Sequence, residues 1–248
     1  MKRILVLGKG QSGKTSALNA LISLGRCRDG MFVVSQFEET QQRKRQKNDE
    51  DDKKEGTKVV KFKDEAGNDY KVELIDMPAY LDGDDPDSMH VLEGMLTFSE
   101  KVKDGYDLIL YCHSVQGGRD TGSLEFLDIM HSLLDAGKHP DKFCLVLTML
   151  NKLEANEISS DSLNKKVKQI KQYLDNKEIK IREQAFFFDE NKKRDGGGLK
   201  PVLNAIKDQK ERVQFTVTGE EITAKTILNF EKNKKTIISQ SVQLPPER

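Results

Sequence analysis

The 248-residue sequence has little of several features that mark particular protein classes. Basic and acidic residues balance at 41 each, so no excess of positive charge suggests a nucleic-acid groove. The three cysteines, Cys27, Cys112 and Cys144, form an odd and widely spaced set. Such a set predicts buried thiols in a reducing compartment and argues against both a disulfide framework and a zinc site.

Long apolar runs are missing as well. No run approaches the about 20 residues that span a bilayer, so we expect no transmembrane anchor. The first apolar run is interrupted at Lys9, which leaves it too short for a signal peptide. These absences predict a soluble, cytoplasmic protein. Charged residues make up 33% of the chain and apolar residues 36%, a polar balance that predicts some solvated segments.

The most informative stretch stands at the start of the chain. A short apolar strand at residues 4–7 leads into a loop that matches G-x-x-x-x-G-K-[ST], and a helix is predicted from Ser16 to Leu24. Glycines let successive backbone N–H groups point at phosphate oxygens, and the helix presents its positive N-terminus to the same anion. A structural glycine-rich turn is the alternative, which the register of strand, loop and helix disfavours. We assign phosphate contacts to Gly8, Lys9, Gly10, Gln11, Ser12, Gly13, Lys14, Thr15 and Ser16.

Strands and helices alternate along the rest of the chain. A Gly-Asn turn joins two runs into a hairpin, at residues 59–62 and 70–75, and three buried strands are predicted at residues 106–112, 143–148 and 185–188. Helices are predicted at residues 88–102, 123–134, 160–174 and from Pro201 to about 213. This is the α/β pattern of a P-loop NTPase, with a doubly wound, mostly parallel sheet and one antiparallel hairpin strand.

The pattern also predicts the domain organisation. Residues 1–213 form the nucleotide-binding domain, and the highly charged residues 41–57 form a mobile loop within it. An interaction patch is the alternative for that loop. Residues 214–248 form a C-terminal extension, a strand and a polar helix followed by a loose tail.

Ligands of such sheets bind at the carboxyl ends of the strands, so the loops that follow those ends are expected to converge. Asp76 ends one strand and is predicted to bind Mg²⁺ through water, as acids at this place do in nucleotide hydrolases. A turn residue before proline is the alternative. The predicted metal set is Thr15, Asp76 and Thr40, with Thr57 as the alternative threonine.

The residues that follow Asp76 bear on hydrolysis. Ala79 takes the place of glycine in the GTPase pattern D-x-x-G, and its N–H is assigned to the γ-phosphate. A Cβ at this position restricts the backbone flip that glycine permits. Tyr80 stands where fast small GTPases carry a water-orienting glutamine, so we expect slow turnover.

Two further loops are assigned to the base. Asn151-Lys152-x-Glu154 offers the acceptor of the guanine-reading pattern N/T-K-x-D on a longer stem, and Asn191 follows the last predicted strand. The carboxylate would accept hydrogen bonds from the guanine ring N–H and from its exocyclic amine. An ordinary polar loop is the alternative for residues 151–154.

With these loops, residues 1–213 resemble the AIG-type G domain of the immunity-associated nucleotide-binding GTPases, the GIMAP or IAN family. The likeness rests on the phosphate loop with its Leu-Asn-Ala-Leu-Ile helix at residues 18–22, and on Asp76-x-Pro78 followed by Leu81-Asp82. It also rests on Gly-Arg-Asp-Thr at residues 118–121, which is similar to the family box G-R-F-T. Ala79 and the Asn151-Lys152 pair depart from the family pattern.

The resemblance implies GTP and GDP binding with Mg²⁺, slow hydrolysis, and nucleotide-dependent assembly into a homodimer or oligomer through the nucleotide face. It also implies a regulatory role for the C-terminal segment. Three functions therefore stand beside one another: a switch GTPase, a pseudo-GTPase scaffold that holds nucleotide without turnover, and an ATP-using P-loop enzyme. No acceptor-side base or basic lid supports the third.

Overall fold

The computed structural model describes residues 1–28, 30–32, 56–64, 66–77, 101–115, 138–153 and 160–214. Its strands and helices are β1 (Lys2–Leu7), α1 (Lys14–Ser23), β2 (Arg26–Cys27), β3 (Thr57–Lys63), β4 (Asp69–Asp76), β5 (Leu108–Ser114), β6 (Phe143–Thr148), α2 (Ser160–Asn176), β7 (Phe186–Phe187) and α3 (Lys200–Lys207). Short 3-10 turns lie at Pro140–Lys142, Leu150–Lys152 and Glu190–Gly198.

The strands form one sheet in the order β2-β3-β4-β1-β5-β6-β7. The pairs β4-β1, β1-β5, β5-β6 and β6-β7 are parallel, whereas β3 pairs antiparallel with both β2 and β4. β5 and β6 are buried along nearly their whole length, as expected for central parallel strands covered on both faces. The predicted mostly parallel sheet with an antiparallel hairpin strand is confirmed.

Apolar side chains pack on both faces of the sheet. Alternate residues of β1 divide between the faces, with Ile4 and Val6 in the cluster that contains α1 and α3, and Leu5 and Leu7 in the cluster that contains α2. Because the side-chain period of a strand is two, this alternation commits β1 to helices on both sides. All the parallel strands point the same way, so their carboxyl ends lie together along one side of the sheet. We call this side the nucleotide edge, because the loops that are predicted to bind a nucleotide begin there.

Several element boundaries differ from the sequence prediction. Thr57 was placed in the charged loop but begins β3, because it pairs with Ile75 at the end of the hairpin ladder. The last helix, predicted to about residue 213, ends at Lys207. Beyond it, the backbone N–H of Val213 donates to the carbonyl of Tyr106 at 2.9 Å, so this segment pairs with the chain before β5 instead of coiling. Residues 41–55 and 215–248 lie outside the described part of the chain.

A network of hydrogen bonds joins residues at the amino ends of β1 and β5, opposite the nucleotide edge. The buried Asp107 carboxylate accepts from the Arg3 backbone N–H at 2.8 Å and from the Arg212 guanidinium at 3.0 and 3.1 Å. These bonds fix the ends of the described chain far from the nucleotide edge. Within the described residues, no helix has the length and apolar character that crossing a membrane requires.

Candidate nucleotide-binding site

The phosphate loop is a tight turn, and its first position fits only glycine. Gly8 has φ +149°, and a Cβ there would lie 2.5 Å from the carbonyl oxygen of Cys112 in the neighbouring strand. Gly13 and Gln11 also have positive φ, at +81° and +58°. The Ser12 N–H donates to the Lys9 carbonyl at 3.1 Å and closes the turn. The loop therefore curls tightly at the end of β1, as a phosphate cradle requires.

Lys14 begins α1 and folds back over this loop. Its side chain is only 8% exposed, and Nζ donates to the carbonyls of Gly8 and Lys9 at 2.8 Å each. The first turn of α1 contains no acidic residue of its own, and its N-terminus carries the positive end of the helix dipole. An ammonium group, a helix N-terminus and a curled loop thus combine at one point, which is the arrangement that binds phosphate.

Asp76 lies beside Thr15 at the end of β4. Thr15 Oγ1 donates to Asp76 Oδ2 at 2.8 Å, while Oδ1 is buried and has no hydrogen-bond partner among the described residues. Burial raises the pKa of the Asp76 carboxyl, and the Thr15 hydrogen bond and the nearby Lys14 and Lys101 ammonium groups lower it by a smaller amount. A buried carboxylate oxygen that lacks a hydrogen-bond partner favours the binding of a cation at this place.

These two residues fit Mg²⁺, which prefers oxygen ligands and usually combines one or two protein groups with phosphates and water. The described residues contain no group of three or more His, Cys, Asp or Glu side chains that could hold a metal by themselves. Asp76 and Thr15 would therefore hold the ion jointly with a nucleotide. Thr40, the third predicted metal residue, lies outside the described residues, and its alternative, Thr57, lies in β3.

The last residue of β6 braces the phosphate loop. Thr148 is fully buried, and its Oγ1 donates to the Ser12 carbonyl at 2.6 Å and lies 3.2 Å from the His113 carbonyl. A Cβ on Gly13 would lie 3.2 Å from Thr148 Cβ. Thr148 is thus a structural part of the site that motif reading missed, because its sequence position indicates only a β-branched strand residue.

The predicted base residues follow Thr148 directly. Met149 has φ +60°, and residues Leu150–Lys152 form a 3-10 turn. Asn151 Oδ1 is buried without a hydrogen-bond partner among the described residues, whereas the Lys152 side chain is exposed. Glu154, the predicted guanine acceptor, lies outside the described residues. The buried Asn151 oxygen is the second acceptor at this edge of the sheet that lacks a donor.

The loop after β7 reaches the same place. Asp189 caps the 3-10 turn by accepting from the Asn191 N–H at 3.0 Å, and the side chain of Asn191 is exposed. Ser16 Oγ donates to Glu190 Oε1 at 3.2 Å, so the carboxylate of Glu190 lies against the first turn of α1. Sequence reasoning assigned Asn191 to the base. The contact with α1 belongs to Glu190 instead, and the Asp-Glu-Asn run at residues 189–191 was the signal that could have indicated it.

The structure thus brings together the phosphate loop, Asp76, the Asn151 turn and the loop of Asn191 at the nucleotide edge. Ala79, Tyr80 and the Gly-Arg-Asp-Thr run at residues 118–121 lie outside the described residues. Their assigned roles stay predictions, as do the contacts of the other residues with a nucleotide.

Comparison with known proteins bears on the fold. No protein-family model matches the chain, and no curated protein sequence matches it. Among solved structures, it is similar to a dimerization-deficient mutant of Toc33 from Arabidopsis thaliana, with a TM-score of 0.56 and 19% identity over 86% of this chain and 87% of that one. Toc33 in complex with GDP and Mg²⁺ aligns with a TM-score of 0.47 and 21% identity over 84% of this chain and 83% of that one. From the first of these and the sheet topology, the chain has the fold of a P-loop GTPase domain. The narrower resemblance to the immunity-associated family stays a prediction.

Proposed function

We propose that this protein is a guanine-nucleotide switch that binds GTP and GDP with Mg²⁺ and hydrolyses GTP slowly. The observation that carries the proposal is the meeting of the curled phosphate loop, the buried Lys14 and the Thr15–Asp76 pair at one edge of the sheet. Lys14 bears on the β- and γ-phosphates, and Thr15 and Asp76 bear on the metal. When bound, Mg²⁺ supplies neutralisation of charge between the β- and γ-phosphates.

Guanine preference rests on the loop after β6. Asn151 carries a buried acceptor without a partner among the described residues, and Lys152 with Glu154 completes the sequence pattern that reads guanine. Asn191 is assigned to the base as well, and the neighbouring Glu190 contacts Ser16 of α1. An ATP-using enzyme is the competing possibility. Competition between ATP and GTP for the site at equal concentration decides between the two functions. Preferential binding of ATP would exclude the guanine assignment.

The direct test of the site is calorimetric titration with GDP and with a non-hydrolysable GTP analogue, in Mg²⁺ and in EDTA. Lys14→Ala removes an ammonium that is poised over the loop, and we expect affinity to fall by at least about 100-fold, since hydrogen bonds to charged groups contribute about 1.5–3 kcal/mol each. Lys168→Ala, an exposed position on α2, is the matched control. Equal affinity of Lys14→Ala and the parent protein would show that the nucleotide binds elsewhere.

A pseudo-GTPase scaffold is the second candidate, and Ala79 and Tyr80 favour it. Tyrosine cannot orient the attacking water as glutamine does, and alanine restricts the loop that would sense the γ-phosphate. Single-turnover hydrolysis separates the two proposals. A chemical step no faster than GTP decay in buffer makes the protein a nucleotide-binding scaffold.

We further propose that the protein self-associates through its nucleotide face. Support comes from Toc33, which is similar in fold and which was studied as a dimerization-deficient mutant. Sedimentation of the nucleotide-free, GDP-bound and GTP-analogue-bound protein tests this. A single mass across all three states would remove self-association from the proposal.

A further inference from the structure

A polar side chain in the middle of α1 holds a second segment of backbone at the nucleotide edge. Asn19 Nδ2 donates to the Phe32 carbonyl at 2.9 Å, and the Phe32 N–H donates to Asn19 Oδ1 at 2.8 Å. The amide group therefore satisfies both backbone groups of Phe32, as a neighbouring strand would. Asn19 is 9% exposed and Phe32 is 6% exposed, so both bonds are shielded from water. We call this pair of bonds the Asn19–Phe32 clamp.

The direction of the chain brings this clamp to the nucleotide edge. β2 is antiparallel to β3, and β3 is antiparallel to β4, so β2 runs in the same sense as β4, toward the nucleotide edge. The Phe32 ring lies 5.3 Å from Lys58 Nζ, and the residue before Lys58 pairs with Ile75, next to Asp76. Asn19 itself stands one helical turn beyond Thr15. The chain therefore passes Phe32 at a fixed point near the metal pair.

Apolar packing alone does not account for an asparagine at this position. α1 is already held to the sheet by Leu18, Leu21 and Ile22, which are all buried. Asparagine is a poorer helix former than leucine, and a buried amide is costly unless its hydrogen bonds are made. Among the described residues, the side-chain hydrogen bonds of Asn19 go to the backbone of Phe32. The asparagine is therefore explained by its hydrogen bonds to Phe32, which lies in a segment outside α1.

We propose that Asn19 is a positioning residue for the γ-phosphate end of the site. This inference rests on the proposed nucleotide binding and adds a residue that discriminates GTP from GDP. In nucleotide switches, the loop that follows the first helix is ordered by contacts with the γ-phosphate and Mg²⁺. Here the clamp fixes the backbone from which that part of the chain starts. The phosphate loop, Lys14 and Thr15 lie outside the Phe32 segment that Asn19 holds, so we expect their contacts with GDP to persist when the clamp is lost.

The experiment compares the affinities of GDP and of the non-hydrolysable GTP analogue for the full chain and for Asn19→Ala. Asn19→Ala loses the two buried hydrogen bonds that hold Phe32, where the chain toward the γ-phosphate begins. We expect this loss to weaken binding of the GTP analogue about tenfold. We expect the GDP affinity to change by less than about threefold, because each of its contacts lies outside the clamp. The ratio of the two affinities is the readout, since a merely structural defect would weaken both nucleotides equally.

Two further variants sharpen the test. Phe32→Leu keeps both backbone bonds and removes the ring, so it should leave the ratio of affinities near that of the parent. Asn19→Leu removes both hydrogen bonds and keeps more of the side-chain volume than alanine does. It should lower the ratio of affinities as Asn19→Ala does, and it serves if the alanine variant does not fold. Hydrogen exchange at the Phe32 amide reports directly whether the clamp has opened.

The outcomes separate this inference from the proposed function. If the parent protein binds neither nucleotide, the proposed function fails before any variant is measured. If the parent binds both nucleotides, and Asn19→Ala opens the clamp while the ratio of affinities stays unchanged, the positioning role is wrong and the binding function stands. An equal loss for GDP and the analogue overturns the positioning role in the same way.

Discussion

Replacing Asp76 by asparagine should stabilise the nucleotide-free protein while it weakens Mg²⁺-dependent binding. The carboxylate has one oxygen bonded to Thr15 Oγ1 at 2.8 Å and one buried oxygen without a partner among the described residues. Asparagine preserves the shape and the acceptor for Thr15 and removes the buried charge. A stabilising substitution that weakens binding is the expected behaviour of a residue retained for its ligand.

The magnitude follows from the balance at this carboxyl group. A buried carboxylate loses several kcal/mol of hydration before its partners are counted, whereas a buried amide with an unmade bond loses about 1–3 kcal/mol. The Lys14 and Lys101 ammonium groups offset part of the charge penalty, yet burial prevails and the pKa of Asp76 is raised. We therefore expect a gain of about 1 kcal/mol, or about 2–4 °C in Tm for a chain of this size.

The sign of the pH dependence is fixed by the same raised pKa. Because the folded protein holds this proton more tightly than the unfolded chain, whose reference pKa is 3.8, the parent gains stability as pH falls through the folded-state pKa. The asparagine variant lacks this proton. Its advantage should be largest near pH 8 and should shrink as pH falls toward the reference value.

The assay is thermal unfolding by circular dichroism in EDTA between pH 5 and pH 8, with titration of GDP in the presence and absence of Mg²⁺. Loss of a group that holds metal-bound water should weaken Mg²⁺-dependent binding about 10–100-fold. Asp175→Asn, which alters an exposed carboxylate on α2, is the control. The reasoning is refuted if Asp76→Asn melts below the parent at pH 8 in EDTA, or if Mg²⁺ improves its GDP affinity as much as the parent's.

Two further predictions concern residues that shape the phosphate loop, and a third concerns the cysteines. Thr148→Val removes the hydroxyl that braces the phosphate loop and should lower the free energy of unfolding by about 1–2 kcal/mol with a loss of GDP affinity, whereas Thr148→Ser should retain both in chemical denaturation and calorimetry. Gly8→Ala should abolish GDP binding, because its Cβ would lie 2.5 Å from the Cys112 carbonyl oxygen; Gly67→Ala, at a φ of +82° that is also positive but with open space around it, should bind normally. Cys27 alone should react with a thiol reagent at pH 8, as counted by mass spectrometry, because Cys112 and Cys144 are buried and burial raises the pKa of both thiols to about 12; modification of Cys112 or Cys144 in the folded protein would contradict this.

Much of the fold could be predicted because its information is local. The apolar residues of β1, β5 and β6 form short, nearly continuous runs in the sequence, and such runs are typical of parallel strands that are covered on both faces. The phosphate loop was readable for a similar reason, since the positions that need glycine lie within six residues of one another. The hairpin was readable from its Gly-Asn turn.

Contacts between distant segments could not be predicted in this way. Ser16 and Glu190 are 174 residues apart, and their hydrogen bond depends on the path of the loop after β7. Left-handed glycines at residues 196–198 set that path, and a Cβ on Gly197 would lie 2.5 Å from the Phe188 ring. The hydroxyl of Thr148 gains its role only because β6 lies beside the phosphate loop. Hydrophobic periodicity carries no information about such polar pairs.

The distribution of unmet hydrogen bonds connects the fold to the proposed ligand. Four buried side-chain atoms among the described residues have no partner: Ser12 Oγ, Asp76 Oδ1, Asn151 Oδ1 and Tyr70 Oη. Buried polar groups are nearly always bonded in folded proteins, so each exception needs a reason. Three of these four residues lie after or at the carboxyl ends of β1, β4 and β6, which meet at the nucleotide edge. A random scatter of unmet groups would not select those strand ends, but a ligand that completes them would. The unmet groups are therefore a feature of the nucleotide-free protein that binding should remove.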